Sequence, residues 1–181
     1  FCCLGDCLAV SDRSGTSGSS LSGSGAEIRR LYEQLLIPKG LGSVRLSTTL
    51  GRRQVAPHAV FVSRVRAVRQ RQKRLVLLDA ACGQLADAGP VACRHHIRVL
   101  GKPAVGGCSL CDIAGRTSEP FGYLAMGRSL PEVSAGDILV FQAAGVMPER
   151  SLYEPAAQYL LREDGSFVPL DLPDTAALTA L

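Results

Sequence analysis

The chain has 181 residues, a formal net charge of +4 and 46% hydrophobic residues. This length predicts one domain, or one domain with a fragment of a second, and the hydrophobic content excludes a largely disordered chain. Trp is absent and aromatic residues make up 5%, so we expect a core of Leu, Val, Ile and Ala. No apolar run reaches the roughly 18 residues of a membrane-spanning helix, and we expect no membrane association.

Seven cysteines are present, three of them within the first seven residues. Cys108 and Cys111 form a C-x-x-C pair, but no second pair accompanies it, so the pattern gives little support to a zinc site. A disulfide framework is not expected in a chain of this length without a secretion signal. We therefore interpret the cysteines as thiols of a cytoplasmic protein.

The first part of the chain is predicted to be poor in packed structure. The tract 11–25 is rich in Ser and Gly and indicates a flexible linker. Residues 26–36 follow with apolar side chains at helical spacing, which predicts an amphipathic helix with Ser24 as its N-cap. Pro38 and Gly40 are expected to end that helix.

From His58 onward the pattern changes to β-strands. The long run 58–68 is rich in β-branched residues and is expected to pair with 74–80 across a polar turn. Further short strands are predicted, with Gly and Pro between them, at 96–100, 109–113, 122–126, 138–143, 159–162 and 167–170. Many short strands separated by turns predict a β-barrel or a β-sandwich.

A basic run and a pair of histidines each have a structural and a functional interpretation. The basic run Arg64 to Arg74 could attract nucleic acid, but no aromatic residues interleave with it. We interpret it as a strand with a solvated face and a charged turn, and expect no nucleic-acid partner. His95 and His96 would point to opposite faces of a strand, so we expect no metal site there.

Four blocks lie in one order between Val44 and Tyr153. They are Leu50-Gly51-Arg52, Asp79-Ala-Ala-Cys-Gly83, His95-His-Ile-Arg-Val-Leu-Gly-Lys-Pro103, and Cys111-Asp112 with Leu130-Pro131, Gly136-Asp137 and Ala144-Gly145 downstream. They resemble the E-P-G-R, D-A-G-M-N and H-P-I-x-V-x-G-x-P blocks, and the C-E-S-G-D, L-P-x-x-x-x-G-D and A-G-A-Y blocks, of the diaminopimelate and ornithine decarboxylase family. That family uses pyridoxal 5′-phosphate (PLP).

The resemblance implies a mainly β fold, a Greek-key-like C-terminal β-barrel over residues 57–181. It also implies that 26–56 carry a short helix and the remnant of a missing N-terminal (β/α)8 barrel, after a flexible segment 1–25. The family's active site lies between two subunits. We therefore expect a homodimer or a PLP-holding partner chain, and a small amino-acid substrate.

The resemblance also implies roles for particular residues. Cys111 matches a cysteine that acts as proton donor in the partner subunit's site, and Asp112 stands where the family has a substrate-contacting Glu. Gly51 and Arg52 match a cofactor-contacting segment, where the Arg can hold a phosphate or carboxylate of cofactor or substrate. Structural roles are the alternative, because Arg52 could cap a sheet edge, Cys111 could be a small buried hydrophobic residue and Asp112 a turn residue.

Several positions depart from the family pattern. Thr49 and Leu50 replace Glu and Pro, Asp87 and Val91 stand where the family has a substrate-binding Arg and Tyr, and Met147 replaces a Tyr that contacts PLP. The PLP lysine belongs to the missing barrel, and only Leu4-Gly5-Asp6-Cys7 weakly resembles the phosphate-binding glycine run. Two functions follow as hypotheses. The first is a piece of a PLP-dependent decarboxylase that does not bind PLP alone and is completed by another chain or by missing upstream sequence. The second is a non-catalytic paralogue or interaction module.

Overall fold

The computed structural model describes residues 1–5, 21–70, 72–86, 95–103, 107–117, 122–146 and 156–170, without the side chain of Arg52. Its N-terminal part is a β–α–β unit, in which strand β1 (Cys2–Cys3) pairs in parallel with β2 (Leu46–Ser47). Helix α1 (Leu21–Leu31) lies between them in the chain. A parallel strand pair that is connected through a helix is the unit from which α/β barrels are built.

The predicted helix forms, but it begins earlier than the sequence pattern indicated. Helix α1 starts at Leu21, so Ser24 lies inside the helix and the prediction of an N-cap at Ser24 is wrong. Ser and Gly are tolerated there because first-turn amides need no partner within the helix. The helix continues through a π-helical turn, Tyr32–Leu36, and a 3-10 turn, and it ends as predicted at Gly40, whose φ of 75° is left-handed.

Every strand expected from the sequence is present, with ends shifted by up to four residues. After a short helix, α2 (Gly51–Val55), come β3 (Phe61–Gln70), β4 (Arg74–Leu78), β5 (Ile97–Val99), β6 (Ser109–Ala114), β7 (Tyr123–Leu130) and β8 (Ile138–Phe141). A separate hairpin follows, β9 (Tyr159–Leu161) and β10 (Phe167–Pro169).

Strands β3 to β8 form one sheet in the order β5-β8-β3-β4-β6-β7. Strand β4 pairs with β6 in parallel, the other neighbours are antiparallel, and the edge strands β5 and β7 approach each other. The sheet is therefore a nearly closed barrel, and β8 returns beside β3 in a Greek-key-like path. This confirms the predicted mainly β fold.

The barrel interior is filled by aliphatic side chains, as the composition predicted. The largest fully buried residues are Phe141, Leu78, Ile113, Leu124, Leu130, Leu139, Val65, Val76 and Cys111. The arginines on the outward positions of β3, Arg64, Arg66 and Arg69, are exposed, so the basic run has the solvated face that the alternation predicted.

Two of the family-like blocks meet in an ion pair at one end of the barrel. Lys102 Nζ lies 2.7 Å from Asp137 Oδ2, and the Ser134 amide donates to the same oxygen over 2.8 Å. Burial opposes ionisation of Asp137, but the hydrogen bonds from Lys102 and Ser134 and the Lys102 charge together hold the pKa of its carboxyl below the usual value. The predicted turn lies here, with Gly136 at a φ of 94°.

Candidate functional site

The segment that resembles the cofactor-contacting block lies beside the end of β8. Gly51 and Arg52 are in α2, whose last residue is followed by a 3-10 turn, Ala56–His58. The Gly145 amide donates to the Ala56 carbonyl over 3.1 Å, and the Ala144 amide donates to the Ala59 carbonyl over 3.0 Å. The fold therefore joins two family-like blocks that are more than 80 residues apart in sequence.

Gly145 is required by the closeness of this contact. A Cβ at position 145 would lie 1.9 Å from the Val55 carbonyl oxygen and 2.6 Å from the Val55 carbonyl carbon. Both are backbone atoms and cannot move without displacing α2. The glycine thus fixes the distance between the end of β8 and the segment that contains Gly51 and Arg52.

Cys111 lies inside the barrel. Its relative exposure is 0%, it belongs to the core cluster, and its thiol is 3.5 Å from the carbonyl oxygen of Ser109. Since neighbouring residues of a strand face opposite sides of the sheet, Asp112 points outward, where it is half-buried. The two residues are adjacent in sequence but do not share a face of β6.

Asp112 has a structural partner. Its Oδ1 accepts a hydrogen bond from the Gly127 amide over 2.8 Å. The β6–β7 register shifts between Cys111 and Ile113, and Gly127 has a φ of 62°, which is the left-handed conformation of a glycine in a β-bulge. The carboxylate therefore holds the bulge closed with one oxygen, and among the described residues no hydrogen bond to its second oxygen is seen.

The structure keeps the two predicted halves of the site far apart within one chain. Cys111 is level with Arg74 of β4, which pairs with Gln70 at the C-terminal end of β3. Residues 56–59, which follow the Gly51 segment, instead lead into Phe61 at the other end of β3. Nine residue steps of a strand separate these ends, which is about 30 Å along the strand.

Cys108, which the sequence analysis considered only as part of a C-x-x-C pair, has an exposed side chain. Cys108 precedes β6 and is exposed, in contrast to the fully buried Cys111. The apolar alternation of Cys111 and Ile113, both fully buried, was the signal that would have placed Cys111 inward. The segment 108–112 thus presents Cys108 and Asp112, rather than Cys111, to its surroundings.

The chain has three lysines, and none of them lies at the Gly51 segment. Lys39 ends the 3-10 turn after α1, Lys73 lies in the turn between β3 and β4, and Lys102 is paired with Asp137. Other positions with predicted family roles, Asp6, Cys7, Asp87, Val91 and Met147, lie outside the described residues.

Neither a metal site nor a membrane-spanning helix is found in the described part of the chain. There, no three or more His, Cys, Asp or Glu side chains are grouped closely enough to hold a metal ion. No helix in the same part is long and apolar enough to cross a membrane.

Similarity to characterised proteins extends over most of this chain. Diaminopimelate decarboxylase of Methanothermobacter thermautotrophicus is 28% identical over 120 residues, which are 66% of this chain and 28% of that protein. The enzyme of the same name from Escherichia coli K12 is 32% identical over 115 residues, 56% of this chain and 27% of the relative. The chain therefore spans little more than a quarter of the length of these relatives.

Solved structures show the same fold. A crystal structure of diaminopimelate decarboxylase superposes with a TM-score of 0.67 at 26% identity, covering 90% of this chain and 42% of the other. The M. jannaschii enzyme in complex with L-lysine reaches a TM-score of 0.70 at 19% identity, covering 91% of this chain and 38% of the other. Residues 22–145 match the profile of the pyridoxal-dependent decarboxylase C-terminal sheet domain. The chain belongs to this family of pyridoxal-dependent decarboxylases.

Proposed function

We propose that the chain contributes the sheet-domain side of a PLP-dependent amino-acid decarboxylase site of the diaminopimelate decarboxylase type. In this proposal the cofactor is held by residues outside this sequence, on a partner chain or on further sequence of the same protein, and the site lies between two subunits. The observation that carries the proposal is the separation of the Gly51 segment and the Cys111–Asp112 segment by about 30 Å along β3, because side chains so far apart cannot serve one site of one chain.

The described residues do not fit PLP as a cofactor of this chain by itself. PLP enzymes of this kind bind the cofactor through a lysine Schiff base, and none of the three lysines belongs to α2. Gly51 and the Arg52 guanidinium remain candidates for holding a phosphate or a substrate carboxylate. The proposal therefore assigns the Schiff base to residues outside residues 1–181 and no covalent step to the residues described here.

On the partner-facing side, the segment 108–112 supplies a thiol and a carboxylate. Asp112 is half-buried with one oxygen uncommitted to Gly127, so it can accept a hydrogen bond from a substrate amine. The resemblance assigns the role of proton donor to Cys111, whose side chain is fully buried in the folded chain. Cys108 is accessible in the folded chain.

A second candidate function is a non-catalytic module that docks on a decarboxylase or acts apart from one. Two observations favour this non-catalytic function. Cys111 is completely buried in the core, and Asp112 accepts a hydrogen bond from the Gly127 amide, so both residues have structural roles. A cytoplasmic location is proposed for either function.

Complementation tests the catalytic proposal. The chain is mixed with the E. coli decarboxylase carrying alanine in place of its own sheet-domain cysteine, and release of CO₂ from diaminopimelate is measured. Activity that rises with added chain and falls with Asp112→Ala supports the proposal, and Cys108→Ala and Cys111→Ala identify the thiol. A mixed dimer seen by sedimentation without restored activity contradicts it and favours the non-catalytic module, and so does the absence of any association.

A further inference from the structure

Four neighbouring strands of the barrel carry a row of polar residues at one level. Gln70 of β3 pairs with Arg74 of β4. Arg74 pairs with Cys111 of β6, which in turn pairs with Arg128 of β7. Two arginines therefore flank the fully buried Cys111, one on each adjacent strand.

Both arginines occupy inward positions of their strands. Arg74 alternates with Val76 and Arg128 with Leu130, and these two apolar residues are buried in the barrel, at 0% and 2% relative exposure. Alternate residues of a strand face the same side of the sheet, so the two arginine side chains start from the face that lines the barrel. Both arginines are half-buried, and the Nε atom of Arg128 is buried.

The two arginines are close enough to contact one small ligand. Neighbouring strands lie about 4.8 Å apart, so Arg74 and Arg128, with only β6 between them, are about 10 Å apart at the backbone. Inward side chains of a barrel approach one another because the sheet curves around its interior. Ser109, the next inward residue of β6, adds a hydroxyl group, whose oxygen lies 3.7 Å from the Cys111 sulfur.

The charge of Arg74 is not neutralised within the described residues, where its side chain makes no hydrogen bond or ion pair with an acidic group. Asp112 faces the other side of β6 and accepts its hydrogen bond from the Gly127 amide. Asp137 is paired with Lys102. Half-buried positive charges at one level of a barrel are costly, and a bound anion lowers that cost.

We propose that Arg74 and Arg128 form an anion-binding site at this level of the barrel, and that its ligand is a phosphate group, free or as a monoester. A guanidinium presents paired N–H donors that match the oxygens of phosphate, and two guanidinium charges balance a doubly charged anion. A monocarboxylate would leave one of these charges without compensation. The inference goes beyond the proposed function, because it requires no decarboxylase reaction and uses neither Gly51 nor Arg52.

Isothermal titration of the full chain with inorganic phosphate, at constant ionic strength, tests the site. We expect saturable binding that Arg74→Gln and Arg128→Gln each weaken at least about ten-fold, because each variant loses charge-assisted hydrogen bonds. Arg66→Gln is the matched control, since it removes the same charge from an exposed, outward position of β3. This control should change the affinity less than about two-fold, because solvent and salt screen that charge.

Two further titrations identify the anion. Acetate, which carries one charge, should bind at least about ten-fold more weakly than phosphate. Glycerol 3-phosphate distinguishes the source of the phosphate group: tighter binding of the ester supports a phosphorylated metabolite, and tighter binding of inorganic phosphate supports the free ion. Acetate bound as tightly as phosphate would overturn the assignment of a doubly charged ligand.

Absence of saturable phosphate binding would overturn the proposal, and so would equal weakening by all three arginine variants. Because a substitution at an inward position can disturb folding, phenylglyoxal modification of the unsubstituted chain gives a second measurement. Peptide mass spectrometry should show that saturating phosphate slows modification of Arg74 and Arg128 at least about five-fold, and that of Arg66 less than about two-fold. Equal modification rates with and without phosphate would contradict the site.

Discussion

Substitution of Gly145 by alanine is expected to disrupt the contact between the end of β8 and α2. The added methyl carbon would lie 1.9 Å from the Val55 carbonyl oxygen, so one of the two segments must move. Overpacking against backbone costs about 2 kcal/mol. Movement also weakens the bonds that the Ala144 and Gly145 amides donate, which adds about 1 kcal/mol. The expected loss of about 3 kcal/mol corresponds to a Tm lower by about 10 °C for a chain of this size.

Thermal unfolding followed by circular dichroism measures this change. Gly25→Ala is the matched control, because a Cβ at Gly25 of α1 meets no atom within 4 Å and alanine favours helix, so no loss of stability is expected. A Gly145→Ala protein that unfolds within about 2 °C of the original chain would refute the steric argument. The close approach of β8 and α2 would then not exist in solution.

Three further predictions concern charge, thiols and the bulge. Asp137→Asn is expected to cost about 1 kcal/mol in urea unfolding at neutral pH. The folded-state pKa of Asp137 is lowered, so the stabilisation is complete above the unfolded pKa of about 3.9 and is lost as pH falls through the folded-state pKa. An equal cost of Asp137→Asn at low pH would contradict the ion pair. Alkylation followed by peptide mass spectrometry should label exposed Cys108 at least about 100-fold faster than buried Cys111, whereas equal rates would show that β6 and β7 open readily. Asp112→Ala should cost about 1 kcal/mol and Asp112→Asn much less, since the amide oxygen can still accept from Gly127; equal losses would argue against that bond.

The strand pattern was readable from the sequence because alternation and turn residues agree along the barrel. Val65, Val76 and Ile113 are inward at alternate positions and are fully buried, and the Gly136 turn lies where Gly and Asp follow one another. The start of α1 was not readable, because the Ser and Gly residues of 21–25 have low helix propensity and no burial pattern.

The candidate site was less accessible to sequence reasoning than the fold. Motif resemblance places Cys111 and Asp112 together, yet strand geometry points them to opposite faces, and alternation around Ile113 decides which one is inward. The alignment of Arg74 with Arg128 and the closeness of Gly145 to Val55 depend on tertiary contacts between distant segments. Local sequence contains no signal for either.

The chain has the sheet domain of the pyridoxal-dependent decarboxylases, and we propose that residues 1–181 do not hold the cofactor by themselves. PLP titration of the purified full chain, followed by absorbance and by borohydride trapping with peptide mapping, tests it most directly. We predict no Schiff-base band and no trapped lysine, because Lys39, Lys73 and Lys102 lie in other elements than α2 and Lys102 is paired with Asp137. A saturable band with PLP trapped on one of these lysines would contradict the claim.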